Sequence, residues 1–318
     1  MKSKRSPRLR VGLVNHGAQS GLTASNRDRT LVKPFTKGRR MDAVRTIRMT
    51  LAYDGTNYCG WQVQPNGISL QEVVERALSQ FTHEPVRVVA SGRTDAGVHA
   101  AGQVVSFETT STAPCRAFVQ GLPIHLPNDV VVRDAGEVAA GFHARFDAQG
   151  KWYRYVIHNS VIRSPFLRTS ALWQRSHLND EAMHAAANIL VGTHDFRCFE
   201  TNWPNRSSSV RTIFRSQVSR LASWQVWNSD HGPSVTRDAD QHHDADHPFS
   251  CFDVEADGFL YNMVRAIVGT LIHVGRGRWT AEDMRRIVEN GDRALAGETA
   301  PAHGLYLMRV DYGASTGG

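Results

Sequence analysis

Hydrophobic and polar positions start to alternate at residue 46 and keep alternating to 53, as in a half-buried strand. Ser69-Leu70-Gln71-Glu72 then has the residues of a capping box, and Val73, Val74, Ala77, Leu78 and Phe81 follow at helical spacing. Strands are expected at 86–90 and 103–107, on either side of a glycine-rich loop, and again at 130–133. Positions 151–158 alternate strictly, which sets Trp152, Arg154 and Val156 on one face and Tyr153, Tyr155 and Ile157 on the other. Asn179 or Asp180 can cap a helix running to Leu190, and strands are expected at 210–220 and 249–256. Helices at 259–274 and 280–289 precede a last strand at 305–310.

Strands and helices that recur in two similar halves predict an α+β fold of two sheet-plus-helix lobes with mainly antiparallel sheets, the active site lying in the cleft between them. The expected organisation is a basic arm at 1–43, an N-terminal lobe at 44–145, a C-terminal lobe at 146–313 and a tail at 314–318. Residues 223–248 are rich in Asp, His, Ser and Gly where a hairpin connection should be short, so they read as an inserted surface loop.

Composition changes this picture little. The 318 residues are 41% hydrophobic and 21% charged, ordinary proportions for a globular protein. No apolar run reaches the ~18 residues of a membrane span. The best candidate, 259–274, is interrupted by Asn262 and Arg265 and reads as a buried helix. Cys59, Cys115, Cys198 and Cys251 show no CxxC spacing, which fits neither a disulfide framework nor a zinc site and suits a reducing compartment such as the cytoplasm. The net charge of +7 invites a nucleic-acid reading. Positions 1–43, however, hold eleven Lys or Arg against two acids, so the remaining body is slightly acidic. The arm reads as disordered, with an acid-poor composition that a transit peptide would also have.

The candidate chemistry lies in the loop Ser91-Gly92-Arg93-Thr94-Asp95-Ala96-Gly97-Val98-His99. Its glycines permit a sharp turn and close approach of a substrate, and Arg93 can keep a carboxylate ionised. Taken alone the segment is equally a strand-connecting turn. It has company, however: Tyr53-Asp54-Gly55-Thr56, Gly60-Trp61-Gln62, Phe142-His143-Ala144-Arg145-Phe146, Lys151-Trp152-Tyr153-Arg154-Tyr155, Gly192-Thr193-His194-Asp195-Phe196, Met263-Val264-Arg265-Ala266-Ile267-Val268-Gly269 and Gly304-Leu305-Tyr306-Leu307. In that order, from about residue 45 to 312, these motifs resemble the tRNA pseudouridine synthase A family.

The resemblance implies the pseudouridine synthase fold and the isomerisation of uridine to pseudouridine in tRNA, at positions 38–40 of the anticodon stem-loop, by a homodimer. Related enzymes with broader RNA targets are the alternative. It implies that Asp95 is the catalytic carboxylate, that Arg265 pairs with it, that Tyr153 packs against the target uracil and that Arg93 fills the stack or holds the flipped nucleotide. Arg145, Arg154 and Arg211 are candidate RNA contacts. The reaction conserves every atom, so it demands no cofactor and no metal. By periodicity alone, Tyr153 is as well a core aromatic, and Arg265 lies about 140° from the apolar stripe of its helix, where a solvated arginine is the ordinary reading. His99 is expected to hold the loop rather than to react. His231, His242, His243 and His247 among Asp238, Asp240, Asp244 and Asp246 have no ordered metal-ligand spacing.

Overall fold

A computed structural model describes residues 43–201, 208–224 and 247–313. The expected arm up to 42, the 225–246 part of the expected loop with its histidines 231, 242 and 243, and the 314–318 tail lie outside the described residues.

The chain is α+β, and among the described residues ten strands form one sheet. The first half contributes β1 (Arg45–Tyr53), α1 (Leu70–Thr82), β2 (Val89–Ala90), β3 (His99–Thr109), α2 (Cys115–Gln120) and β4 (Val130–Val138). The second contributes β5 (Ala148–Asn159), β6 (Leu172–Gln174), α3 (Asp180–Asn188), β7 (Gly192–Asp195), β8 (Val210–Leu221), β9 (Phe249–Ala256), α4 (Met263–Gly275), α5 (Ala281–Asn290) and β10 (Leu305–Tyr312). The order is β4-β1-β3-β10-β5-β9-β8-β7, with β2 on β3 and β6 on β5. Every pairing is antiparallel except β10 with β3 and β6 with β5. The last strand therefore joins the two halves, and the described residues form one compact unit across the 145/146 boundary.

Local chemistry accounts for the helix boundaries. Ser69 accepts the Glu72 N–H at the start of α1, Asn179 accepts the Ala182 N–H at the start of α3, and Thr280 with Asp283 forms a reciprocal capping box at α5. α4 begins at Met263 rather than 259 because Asn262 adopts a left-handed conformation, φ 61°, and Phe259 and Leu260 turn into the core before it. β3 is almost wholly buried on both faces, so only the part centred on 103–107 reads clearly as a strand from its sequence. α2, β6 and β7 are too short to show a period and were not foreseen.

The helices pack on one face of the sheet. Ile47, Met49, Tyr155, Ile157, Phe252 and Val254 on that face join the apolar sides of α1, α3 and α4 in the main core. Trp152, Val156, Cys251 and Tyr306 pack on the opposite face, so the alternation expected in β5 holds. α4 is covered twice. The sheet lies against one side, and the segment leading into β10 lies against the other, where the Gly297 N–H donates to Thr270 Oγ1 (2.9 Å) and the Ala300 N–H to the Arg265 carbonyl (3.0 Å). No described helix is long and apolar enough to cross a membrane.

Candidate active site

The loop between β2 and β3 is held from all sides before any substrate enters. Ser91 donates to Gln103 Oε1 (2.7 Å), and the Gln103 amide donates to the Gly92 carbonyl (2.9 Å). The Tyr53 and Thr94 hydroxyls are 2.9 Å apart, and the Trp61 N–H donates to the Thr94 carbonyl (3.0 Å). Gly97 has φ 77° in a tight turn closed by Val98 N–H to the Asp95 carbonyl. Gly55 passes so near Val98 that a Cβ there would stand 2.0 Å from the Val98 carbonyl oxygen. His99 accepts the Gly55 N–H at Nδ1 (3.1 Å) and, with its proton on Nε2, donates to the His303 carbonyl (3.2 Å). Its ring stacks on Tyr306 at 4.7 Å. These contacts tie the loop to β1 and β10.

Asp95 projects from this loop toward α4. Arg265 Nη1 stands 3.4 Å from Asp95 Oδ2, with only 18% and 24% of the two side chains exposed. Arg265 is itself oriented by donation from Nε to the Ala300 carbonyl (2.7 Å) and from Nη1 to Asn262 Oδ1 (2.8 Å). Burial pushes the Asp95 carboxyl above its ordinary range, and the charge and hydrogen bond of Arg265 oppose that rise. Tyr153 meets Phe259 edge to face at 5.0 Å. Burial first, then the neighbouring Tyr53 and Asp95, hold its phenol well above the usual range, so it is protonated at neutral pH.

One cleft of about 880 Å³ is lined by Asp95, Arg265, Tyr153, Arg93, Arg145 and Arg211. These residues come from positions 93 to 265 of the chain, and only folding brings them together. Arg154, expected as an RNA contact, does not join them. It lies on the opposite face of β5, 4% exposed, with Nε and Nη2 donating to the two Asp253 carboxylate oxygens at 2.8 and 2.9 Å. Trp152 donates to the same carboxylate (2.7 Å), and the guanidinium lies over the Trp152 ring. An arginine buried on that face and paired with a carboxylate is not presented to RNA.

Several residues of the cleft were not singled out from the sequence. Phe259 and Asn262 belong to the turn ahead of α4, and Ala300 contributes only its carbonyl. Lys151 was legible only as part of a strand motif, yet it opens into the cleft on the Tyr153 side of β5. Burial, Arg145 and Arg211 pull its ammonium down to about 8, with Asp257 opposing. The cysteines are free, and Cys198 and Cys251 are buried with thiols pushed up to about 12.

Fold and cleft together define a mixed α+β protein that presents a half-buried, arginine-paired carboxylate to a large basic groove. Residues 49–147 and 186–313 match the family model described as tRNA pseudouridine synthase. The chain is 43% identical over 269 residues to the tRNA pseudouridine synthase A of Geotalea uraniireducens, covering 85% of this chain and all of that one. It is 45% identical over the same length to that of Geobacter sulfurreducens, with the same coverage, and 40% identical to that of Exiguobacterium sp., of which 98% is covered. The chain belongs to the tRNA pseudouridine synthase family, and it is an isomerase of uridine in tRNA.

Proposed function

We propose that the chain converts uridine to pseudouridine at positions 38–40 of the tRNA anticodon stem-loop, with Asp95 as the reacting carboxylate. The observation that carries this reading is the Asp95–Arg265 pair at the floor of the cleft, with Tyr153 on the adjoining wall. Isomerisation breaks the N1–C1′ bond, turns the uracil and joins C5 to C1′. An ionised carboxylate serves each available route, as nucleophile at the sugar or base or as general base at C2′. Arg265 favours the ionised form against the cost of burial, which would otherwise protonate the group.

The target base must leave its stack to reach the carboxylate, at a cost of roughly a few kcal/mol. Tyr153 offers the uracil a stacking surface worth about 1–3 kcal/mol. Its hydroxyl makes no hydrogen bond among the described residues that would compete with the base, and it is free to hydrogen-bond the uracil. Arg93 takes the vacated stack or the backbone of the flipped nucleotide, and Arg145 and Arg211 meet the strand beyond it. The enzyme acts as a cytoplasmic homodimer without cofactor or metal.

Tritium release from C5-labelled uridine in tRNA tests the assignment. Wild type should release tritium, and Asp95→Asn should lose at least about a hundredfold in rate, since no amide replaces a carboxylate in these roles. Equal release from both proteins would overturn the role of Asp95. Mapping the modified positions then separates 38–40 from a broader set of targets.

A further inference from the structure

Lys151 stands two residues before Tyr153 on the same face of β5, inside the cleft. Its Nζ reaches the Asp95 loop so closely that a Cβ on Gly92 would lie 3.3 Å from it. A side chain at 92 would crowd the ammonium, so glycine there keeps its outer side open. Among the described residues Lys151 makes no hydrogen bond and no ion pair. Arg145 from the turn before β5 and Arg211 from β8 face it, with Asp257 after β9 as the facing acid. Asp257 already accepts the Thr212 N–H (3.1 Å). Arg93 and Asp95 line the same cleft from the loop, and Asp95 is engaged by Arg265. On the adjacent β10, Asp311 is taken by Arg309 at 2.6 Å.

Three cations that converge without an equal number of acids repel one another, and an anion between them relieves that repulsion. The cleft is open and runs past the reacting carboxylate, so the anion that fits is a backbone phosphate of a strand whose base is already in the site. We propose that Lys151, with Arg145 and Arg211, holds a phosphate next to the target uridine. This rests on the function proposed above and adds to it the residue that fixes the register of the strand relative to Asp95. Because the free ammonium is pulled down to about 8, phosphate binding must draw a proton onto it near that pH. The sign follows: affinity for RNA is highest below the free value and declines as pH rises through it.

The test measures tRNA affinity of wild type, Lys151→Gln and Lys151→Arg against salt and against pH from about 7 to about 9. At neutral pH, Lys151→Gln should weaken binding about tenfold. It should also lower the slope of log affinity against log salt by about 0.7, the share of one phosphate on a single strand. Wild-type affinity should fall across the pH range, whereas Lys151→Arg, which does not titrate there, should bind well with a flat profile. A neutral methylphosphonate at the linkage 5′ or 3′ of the modified uridine should reproduce the loss in wild type and add nothing to Lys151→Gln. An unchanged salt slope in Lys151→Gln, or a wild-type pH profile as flat as that of Lys151→Arg, overturns the proposal. The wild-type profile decides even if the Gln variant does not fold. Pseudouridine is assayed in the same tRNA: its absence from wild type would defeat the proposed function, whereas its presence with an unchanged salt slope would defeat the Lys151 assignment alone.

Discussion

Replacing Arg265 by alanine removes one cation and three side-chain bonds, and the structure separates their effects. At 3.4 Å from Asp95 and an effective dielectric of about 20, the direct attraction is at most about 5 kcal/mol. Desolvation of the two largely buried groups cancels part of that, so the expected loss is about 3–4 kcal/mol of transition-state stabilisation, or 10²–10³ in kcat. The variant also strands the buried Ala300 carbonyl and Asn262 Oδ1, at about 1–3 kcal/mol of stability, which lowers Tm by several degrees. Affinity for tRNA should change less than threefold or so, because the guanidinium is occupied on the protein side and faces the carboxylate. Single-turnover tritium release, a binding isotherm and a melting curve give the three numbers. Arg265→Lys should recover part of the rate and little of the stability, since one ammonium cannot reach all three acceptors. A folded Arg265→Ala variant that turns over within about tenfold of wild type would refute the reasoning.

Further outcomes are open to measurement. The raised Asp95 carboxyl places the acid limb of kcat/KM above the ordinary value of 3.8, and removing the cation at 265 moves that limb higher still. The same raised value means that ionised Asp95 costs stability at neutral pH. Asp95→Asn should therefore raise Tm at pH 7, and that gain should disappear on acidification below the folded value. Arg154→Leu leaves the Asp253 carboxylate buried and half-paired and should cost about 3–5 kcal/mol in denaturant unfolding. Adding Asp253→Leu should return much of that, and neither change should alter the salt slope of RNA binding. Gly269→Ala would put a Cβ 1.7 Å from the Glu298 carbonyl oxygen. It should destabilise by at least about 1–3 kcal/mol and lower kcat as well, because the displaced segment carries the Ala300 carbonyl that orients Arg265. Full activity and an unchanged melt in Gly269→Ala would show that this segment does not hold the arginine.

The legible part of the fold was the part whose causes are local. The cap residues Ser69 and Asn179 sit where the sequence puts them, because a cap bonds an amide only two or three residues away. The face assignment in β5 held for the same reason, since alternation follows from the pleat. β3 was only half seen because a strand buried on both faces has no polar side to alternate with. α2 and β7 were missed because they are too short to show a period.

The chain by itself determined the element pattern, the Asp95 loop and the family, because these rest on periodicity and on motifs read in order. Tertiary structure decided which charged side chains work together. Arg265 looked solvated on its helix. It is enclosed because the 297–300 segment covers the side of α4 away from the sheet, and its carboxylate partner lies 170 positions away. Arg154 looked available on a strand, and Asp253, 99 positions on, accepts from two of its guanidinium nitrogens. Lys151 gave no signal, because its standing comes from two arginines on other segments and from the room left at Gly92. Helix and strand preferences act over a few residues, whereas the energy of a buried charge depends on every neighbour the topology brings to it.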